Sequence, residues 1–192
     1  MFMTVLKADI ESLSQKTIYV NYSDEQWMHQ WLTSQFDKSR DEENILYKLD
    51  MQQDGIYLYI QSNDRFPEKN LAKAGFKLAD SIELPAPDPN GRIEFRISCS
   101  AQKKRDNKPY FVQNEEDRIE WVKERLSPFM KDIFVVEKKR CSACVKREYR
   151  LQGADYEGFG TVTDPEMFME TVSRGIGKAK CYGFGLLMYQ PA

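Results

Sequence analysis

The sequence predicts an α+β protein made of two consecutive β-α-β-β-α-β units, each an antiparallel sheet with helices on one face. Three observations carry this. An alternating strand pattern near the N-terminus is followed by an amphipathic helix and a hairpin. A run rich in proline and turn formers, Leu84-Pro-Ala-Pro-Asp-Pro-Asn-Gly91, then interrupts any regular element. Beyond it the same order of strands and helices starts again. The expected architecture is two tandem ferredoxin-like, or RRM-like, domains: residues 1–84, a linker at 85–91, and residues 92–192.

Met3 to Ile10 alternates apolar and polar side chains and reads as a strand. Ser23 or Asp24 can cap a helix whose apolar face is Trp27, Met28, Trp31, Leu32 and Phe36. Ile45 to Met51 and Gly55 to Ser62 read as strands joined at Gln53-Asp54-Gly55. Residues 68–79 read as a short helix or an irregular crossover. In the second half, Arg92 to Ser100 is an expected strand, followed by a charged loop. A helix over Glu115 to Leu126 presents Ile119, Val122 and Leu126 on one face. Phe129 to Glu137 and the segments near 149–152 and 158–162 are further strands. A helix capped by Thr163 or Asp164 and a last strand, Cys181 to Tyr189, complete the unit.

Many unrelated activities use this fold, so function has to be read from sites. The formal net charge of -2 argues against a protein that binds polyanions over its whole surface. The charge is uneven, however: residues 102–150 hold 14 Lys and Arg against 9 Asp and Glu, which points to one local basic face. There is no apolar run of membrane-spanning length and no secretory leader pattern, so a cytoplasmic protein without a membrane partner is expected. Four cysteines, with Cys141 and Cys144 in a CxxC, fit free thiols in a reducing compartment. The CxxC is half of a zinc site, but no second pair of soft ligands stands at short spacing. It is read as a turn in a basic hairpin, and no metal or small-molecule cofactor is expected.

The most specific segment is Gly175-Ile-Gly-Lys-Ala-Lys-Cys-Tyr-Gly-Phe-Gly-Leu-Leu187, with four glycines in eleven residues. Glycine permits positive φ and removes the Cβ, so Gly175 and Gly177 can bring backbone N–H groups to a phosphate while Lys178 and Lys180 supply countercharge. Neither a P-loop nor a dinucleotide-binding context surrounds it. The plainer alternative is a tight turn into the final strand.

This segment, placed just before the last strand, resembles the signature of CRISPR repeat-processing endoribonucleases, in a spelling similar to that of the CasE family. Ile93-Glu-Phe-Arg-Ile97 followed by a basic loop, then Asp117-Arg-Ile-Glu-Trp-Val-Lys-Glu-Arg-Leu126, is similar to the family's middle section. His29-Gln30 with Leu32 and Phe36 resembles the segment that carries the family's histidine. The likeness is strong at the C-terminus and weak between Gln61 and Pro89.

His29 is the chain's only histidine, hence the one candidate for a side chain titrating near neutral pH, although a lone histidine is often structural. The resemblance implies a metal-independent reaction in which an RNA 2′-hydroxyl attacks the adjacent phosphate. The products are a 2′,3′-cyclic phosphate and a 5′-hydroxyl, with His29 as general base or general acid. The family carries a tyrosine one helical turn before this histidine, where this chain has Gln26; Tyr22 is the nearest upstream tyrosine. Either Tyr22 substitutes, or Gln26 orients the substrate, or catalysis leans on His29 and a lysine.

Basic residues with interleaved aromatics suit a structured RNA. The candidates are Lys103, Lys104, Arg105, Lys138, Lys139, Arg140, Lys146, Arg147 and Arg150. The resemblance implies that the 138–150 hairpin and the loop after Ser100 clamp a CRISPR repeat stem-loop, as precursor and as mature crRNA. It also implies assembly with the other subunits of the surveillance complex Cascade. A non-catalytic hairpin-RNA-binding subunit is the alternative.

Overall fold

The structure is a computed structural model that describes residues 1–9, 25–38, 40–145 and 149–192. In the N-terminal half, β1 (Phe2–Asp9) lies between β3 (Gly55–Ser62) and β4 (Lys77–Glu83), and β2 (Leu46–Gln52) flanks β3. All pairings are antiparallel. The order β2-β3-β1-β4 is that of a ferredoxin-like sheet. One face, with Leu6, Ala8, Leu58 and Ile60, packs on Met28 and Leu32 of helix α1 (Glu25–Gln35). Trp27 and Trp31, one turn apart, stack at 6.0 Å and extend that contact toward Phe66 and Phe76. A four-residue helix, α2 (Arg40–Glu43), precedes β2. The second helix of the unit shrinks to a 3₁₀ turn, Leu71–Ala74, closed by Gly75 at φ 81°. Residues 68–79 are therefore neither helix nor crossover throughout, because β4 begins at Lys77.

The C-terminal half repeats the topology. Its sheet runs β10-β5-β9-β8, built from β5 (Arg92–Cys99), β8 (Met130–Val145), β9 (Tyr149–Val162) and β10 (Leu187–Pro191). Helix α3 (Glu115–Leu126) is capped by the Asn114 side chain, which accepts from the Asp117 N–H. Acidic residues in its first turn and Lys123 and Arg125 in its last complement the helix dipole. Helix α4 (Pro165–Arg174) is capped by Asp164, with Pro165 in its first turn. Val122, Leu126, Phe168 and Val172 bury against Ile93, Phe95 and Ile97.

Four expectations are corrected. The charged loop after Ser100 is a hairpin, β6 (Gln102–Arg105) and β7 (Lys108–Phe111). Asp106 and Asn107 both take positive φ there, the requirement of a tight two-residue hairpin turn. The separate strands expected after Phe129 are one long hairpin, β8–β9. The CxxC is not a turn: Cys141 through Cys144 pair in register with Gly153 through Arg150. The final strand starts at Leu187 instead of Cys181, because Lys180–Tyr182 forms a 3₁₀ turn and Gly183 and Gly185 take positive φ.

Candidate functional site

Sheet faces not covered by helices turn toward each other and meet at one end. Lys48 on β2 donates to Ser98 on β5 at 2.5 Å and to Asp155 on β9 at 2.7 Å. Ser98 also bonds Asp155, and Lys48 and Asp155 are each only 18% exposed. Beside this clasp Met3, Leu46 and Leu186 form a small apolar seam. Gln61 donates its amide to the Val172 carbonyl of α4 at 2.8 Å.

The glycine-rich segment forms the other half of the seam. A Cβ on Gly175, at φ 70°, would lie 2.7 Å from the Leu46 side chain and 2.8 Å from the Gly185 carbonyl. Several amides of the segment are engaged internally: Ile176 N–H donates to Gly185, Gly185 N–H to Ser98, and Gly175 N–H to Thr171. Gly175 therefore serves the close approach of the two units, and its N–H, one of the two suggested phosphate donors, is taken by the Thr171 carbonyl.

Helix α1 lies against the 180–182 turn and against β8. The buried Tyr47 hydroxyl donates to the Cys181 carbonyl at 3.1 Å and lies 3.4 Å from the Glu25 carbonyl. It thus ties the first turn of α1 to the glycine-rich segment. Half-buried His29 sits one turn farther along α1, its carbonyl accepting from Thr33 at 2.9 Å. The only imidazole thus occupies a helix wedged between the glycine-rich segment and the long hairpin. Tyr22 lies outside the described residues, as do Lys146 and Arg147.

The expected cations divide into groups. Lys103, Lys104, Gly175, Gly177 and Lys178 line one cavity of about 630 Å³. Lys138 and Lys139 turn instead into the cleft between the sheets, where they pair with Glu157 at 3.4 Å and Asp155 at 3.6 Å. The cause is a β-bulge at Lys138, between Glu137 and Lys139, which breaks the strict alternation of the strand and leaves two adjacent side chains on the same face. Alternation resumes after it, so Arg140 lies on the helix side, its guanidinium 5.2 Å from the Phe111 ring. Arg105 lies over Tyr110 at 5.8 Å, Arg150 is exposed, and Lys180 donates to the Arg174 carbonyl.

A buried ion pair supports this region. Arg118 makes a two-pronged pair with Glu137 at 2.6 and 2.7 Å and donates to the carbonyls of Val112 and Gln113. It fixes the exit of the β6–β7 hairpin to α3 and β8, and the carboxylate beside it holds the guanidinium's pKa above its usual value. Burial, with the Asp155 carboxylate as a second cause, pushes the Cys141 thiol up to about 11. Cys99, Cys141 and Cys181 carry free thiols. Among the described residues no three His, Cys, Asp or Glu side chains are grouped to hold a metal, and no helix is long and apolar enough to cross a membrane.

A sequence profile of the family described as CRISPR associated protein matches residues 1–191. The chain belongs to that family. Among the relatives of this CRISPR-associated protein is the CRISPR-associated endoribonuclease Cse3 of Thermus thermophilus, 26% identical over 125 residues. The matched segment spans 56% of this chain and 59% of that relative's length. A structure of CRISPR endoribonuclease Cse3 bound to 19 nt RNA superposes with a TM-score of 0.85, at 19% identity and with both chains fully covered. A chain from a CRISPR RNA-guided surveillance complex superposes with a TM-score of 0.73, at 15% identity and again with full coverage of both. These likenesses establish the tandem ferredoxin-like fold, and the CasE resemblance read from the sequence agrees with them.

Proposed function

We propose that this CRISPR-associated protein is a cytoplasmic, metal-independent endoribonuclease that cuts precursor RNA at the base of the repeat stem-loop. It leaves a 2′,3′-cyclic phosphate and a 5′-hydroxyl and stays on the crRNA within Cascade. The observation that carries this reading is the position of His29, on a helix braced by Tyr47 against the glycine-rich segment. Family membership and the RNA-bound structure of the Cse3 relative support it. The division at residues 85–91 belongs to the same proposal: the first unit brings the histidine, the second holds the RNA.

RNA supplies the nucleophile, so the protein has three tasks. It holds the 2′-hydroxyl in line with the leaving 5′-oxygen, moves protons, and offsets the charge of the phosphorane. His29 moves a proton, and Lys178 and Lys180 of the adjoining segment supply countercharge. Cognate repeat RNA incubated in EDTA tests the reading. Wild type should give cyclic-phosphate product and His29→Ala none; equal cleavage by both overturns the mechanism. An RNA with sulfur at the 5′ leaving position fixes the proton's direction. Rescue of His29→Ala by that leaving group assigns His29 as the acid, and its absence assigns the base.

Gln26, standing where the family carries tyrosine, favours a second reading: a subunit that clamps hairpin RNA without cutting it. Tight binding with no product from wild type would select it.

A further inference from the structure

The cavity between the β6–β7 hairpin, α3 and the glycine-rich segment has a chemistry that the cleft between the sheets lacks. Lys103, Lys104, Arg125 and Lys178 face it, against the single carboxylate Glu124. The cleft between the sheets is balanced: Lys48, Arg96, Lys138 and Lys139 meet Asp50, Glu94, Asp155 and Glu157, several of them in ion pairs. A polyanion gains from the first and not from the second.

The cavity also has a flat wall. Trp121 and Arg125 are one helical turn apart on α3, and the Arg125 guanidinium lies 5.0 Å from the indole centroid. Trp121 is 5% exposed, whereas Arg125 is exposed. The guanidinium thus packs over the indole while the Arg125 side chain stays open to solvent. Gly177, at φ 82°, lets the loop close on the same indole; a Cβ there would come within 3.3 Å of it. A volume of about 630 Å³ lies within the range of small-molecule sites. A double-stranded stem needs no such recess, because its bases are stacked inside the helix. An unpaired base does, and single-stranded nucleotides are read by stacking on aromatic rings and arginine planes.

Resting on the RNA-processing reading above, we propose that this cavity receives one unpaired nucleotide of the bound hairpin RNA. Its base stacks on the outer face of Arg125, and its flanking phosphates lie against Lys103, Lys104 and Lys178. Arg125 is then a binding residue that sets the register of the RNA on the protein, and Trp121 is the positioning residue beneath it.

The test places 2-aminopurine at each unpaired position of the cognate repeat RNA in turn and measures fluorescence on binding to the full chain. One position should respond. Arg125→Ala should abolish that response and weaken affinity about tenfold. Arg125→Lys, which keeps the charge without the plane, should not restore the response. An abasic nucleotide at the responding position should weaken wild type by a similar factor and leave Arg125→Ala unchanged. The proposal is overturned if no position responds, if the response survives in Arg125→Ala, or if the abasic and Arg125→Ala losses multiply. Should wild type bind no hairpin RNA, the RNA-processing reading fails and the pocket assignment falls with it. Binding and cleavage with no responding position overturn the pocket alone.

Discussion

The two halves share a topology and differ in what surrounds it. In the N-terminal half the second helix is reduced to the turn Leu71–Ala74, and residues 1–84 carry nine Lys and Arg against 14 Asp and Glu. The C-terminal half keeps both helices, adds the β6–β7 hairpin and extends β8–β9, and residues 92–192 hold 19 Lys and Arg against 15 Asp and Glu. On the proposed reading, the repeated topology separates the proton-transfer task from RNA holding. The only histidine sits on the acidic unit, and the surplus of Lys and Arg resides on the basic one.

His29→Ala tests that separation with the largest expected effect. Single-turnover cleavage should fall by about 10²–10⁴-fold, while affinity in a gel-shift titration changes far less. A parallel loss of affinity would break the division. Next is Glu137→Ala, which leaves the buried Arg118 charge unpaired. Urea unfolding should show a loss of about 3–5 kcal/mol, confined to the C-terminal unit's transition if the units unfold separately.

Gly175→Ala should cost about 2 kcal/mol through its positive φ and the crowding of Leu46. An unchanged midpoint would mean that the glycine-rich segment does not bind the halves together. Lys48→Ala removes the cation of the clasp and should cost about 1–2 kcal/mol, discounted for partial exposure. Faster amide exchange at the ends of β2 and β9 is the accompanying sign. The smallest effect concerns Cys141. Its thiol pKa is raised to about 11, so the native state favours the neutral form. The stability this contributes is intact below the ordinary thiol value near 9 and fades as pH rises through 11. Iodoacetamide should label Cys141 slowly at pH 8 and faster as pH approaches 11.

Much of the fold was legible because its signals are local. The β2–β3 turn, the Glu115–Leu126 helix and its partner capped at Asp164 follow from turn and capping residues. The β6–β7 hairpin carried a readable sign in Asp106-Asn107 that the surrounding lysines and arginines masked. Strand β4 was obscure because Lys77–Glu83 is mostly exposed and shows no clean alternation. The last strand was expected from Cys181, but the 180–182 turn and the positive φ of Gly183 and Gly185 turn the chain first. In the candidate site, His29 stood out by being unique, and Lys103, Lys104 and Lys178 by charge. The division of Lys138, Lys139 and Arg140 between faces depends on a bulge with no sequence mark. Lys48 and Asp155 stand 107 residues apart, and Arg125 gains meaning only from Trp121 beneath it and Lys178 across the cavity.

The bracing of α1 by the 180–182 turn also bears on the order of events during synthesis. The histidine helix emerges from the ribosome well before the 180–182 turn that supports it. A nascent chain can form the first sheet and still lack the wall against which α1 rests. On the proposed function, ribosome-bound chains stalled before residue 175 should therefore be unable to cut RNA, and chains long enough to expose the 180–182 turn and β10 should cut it.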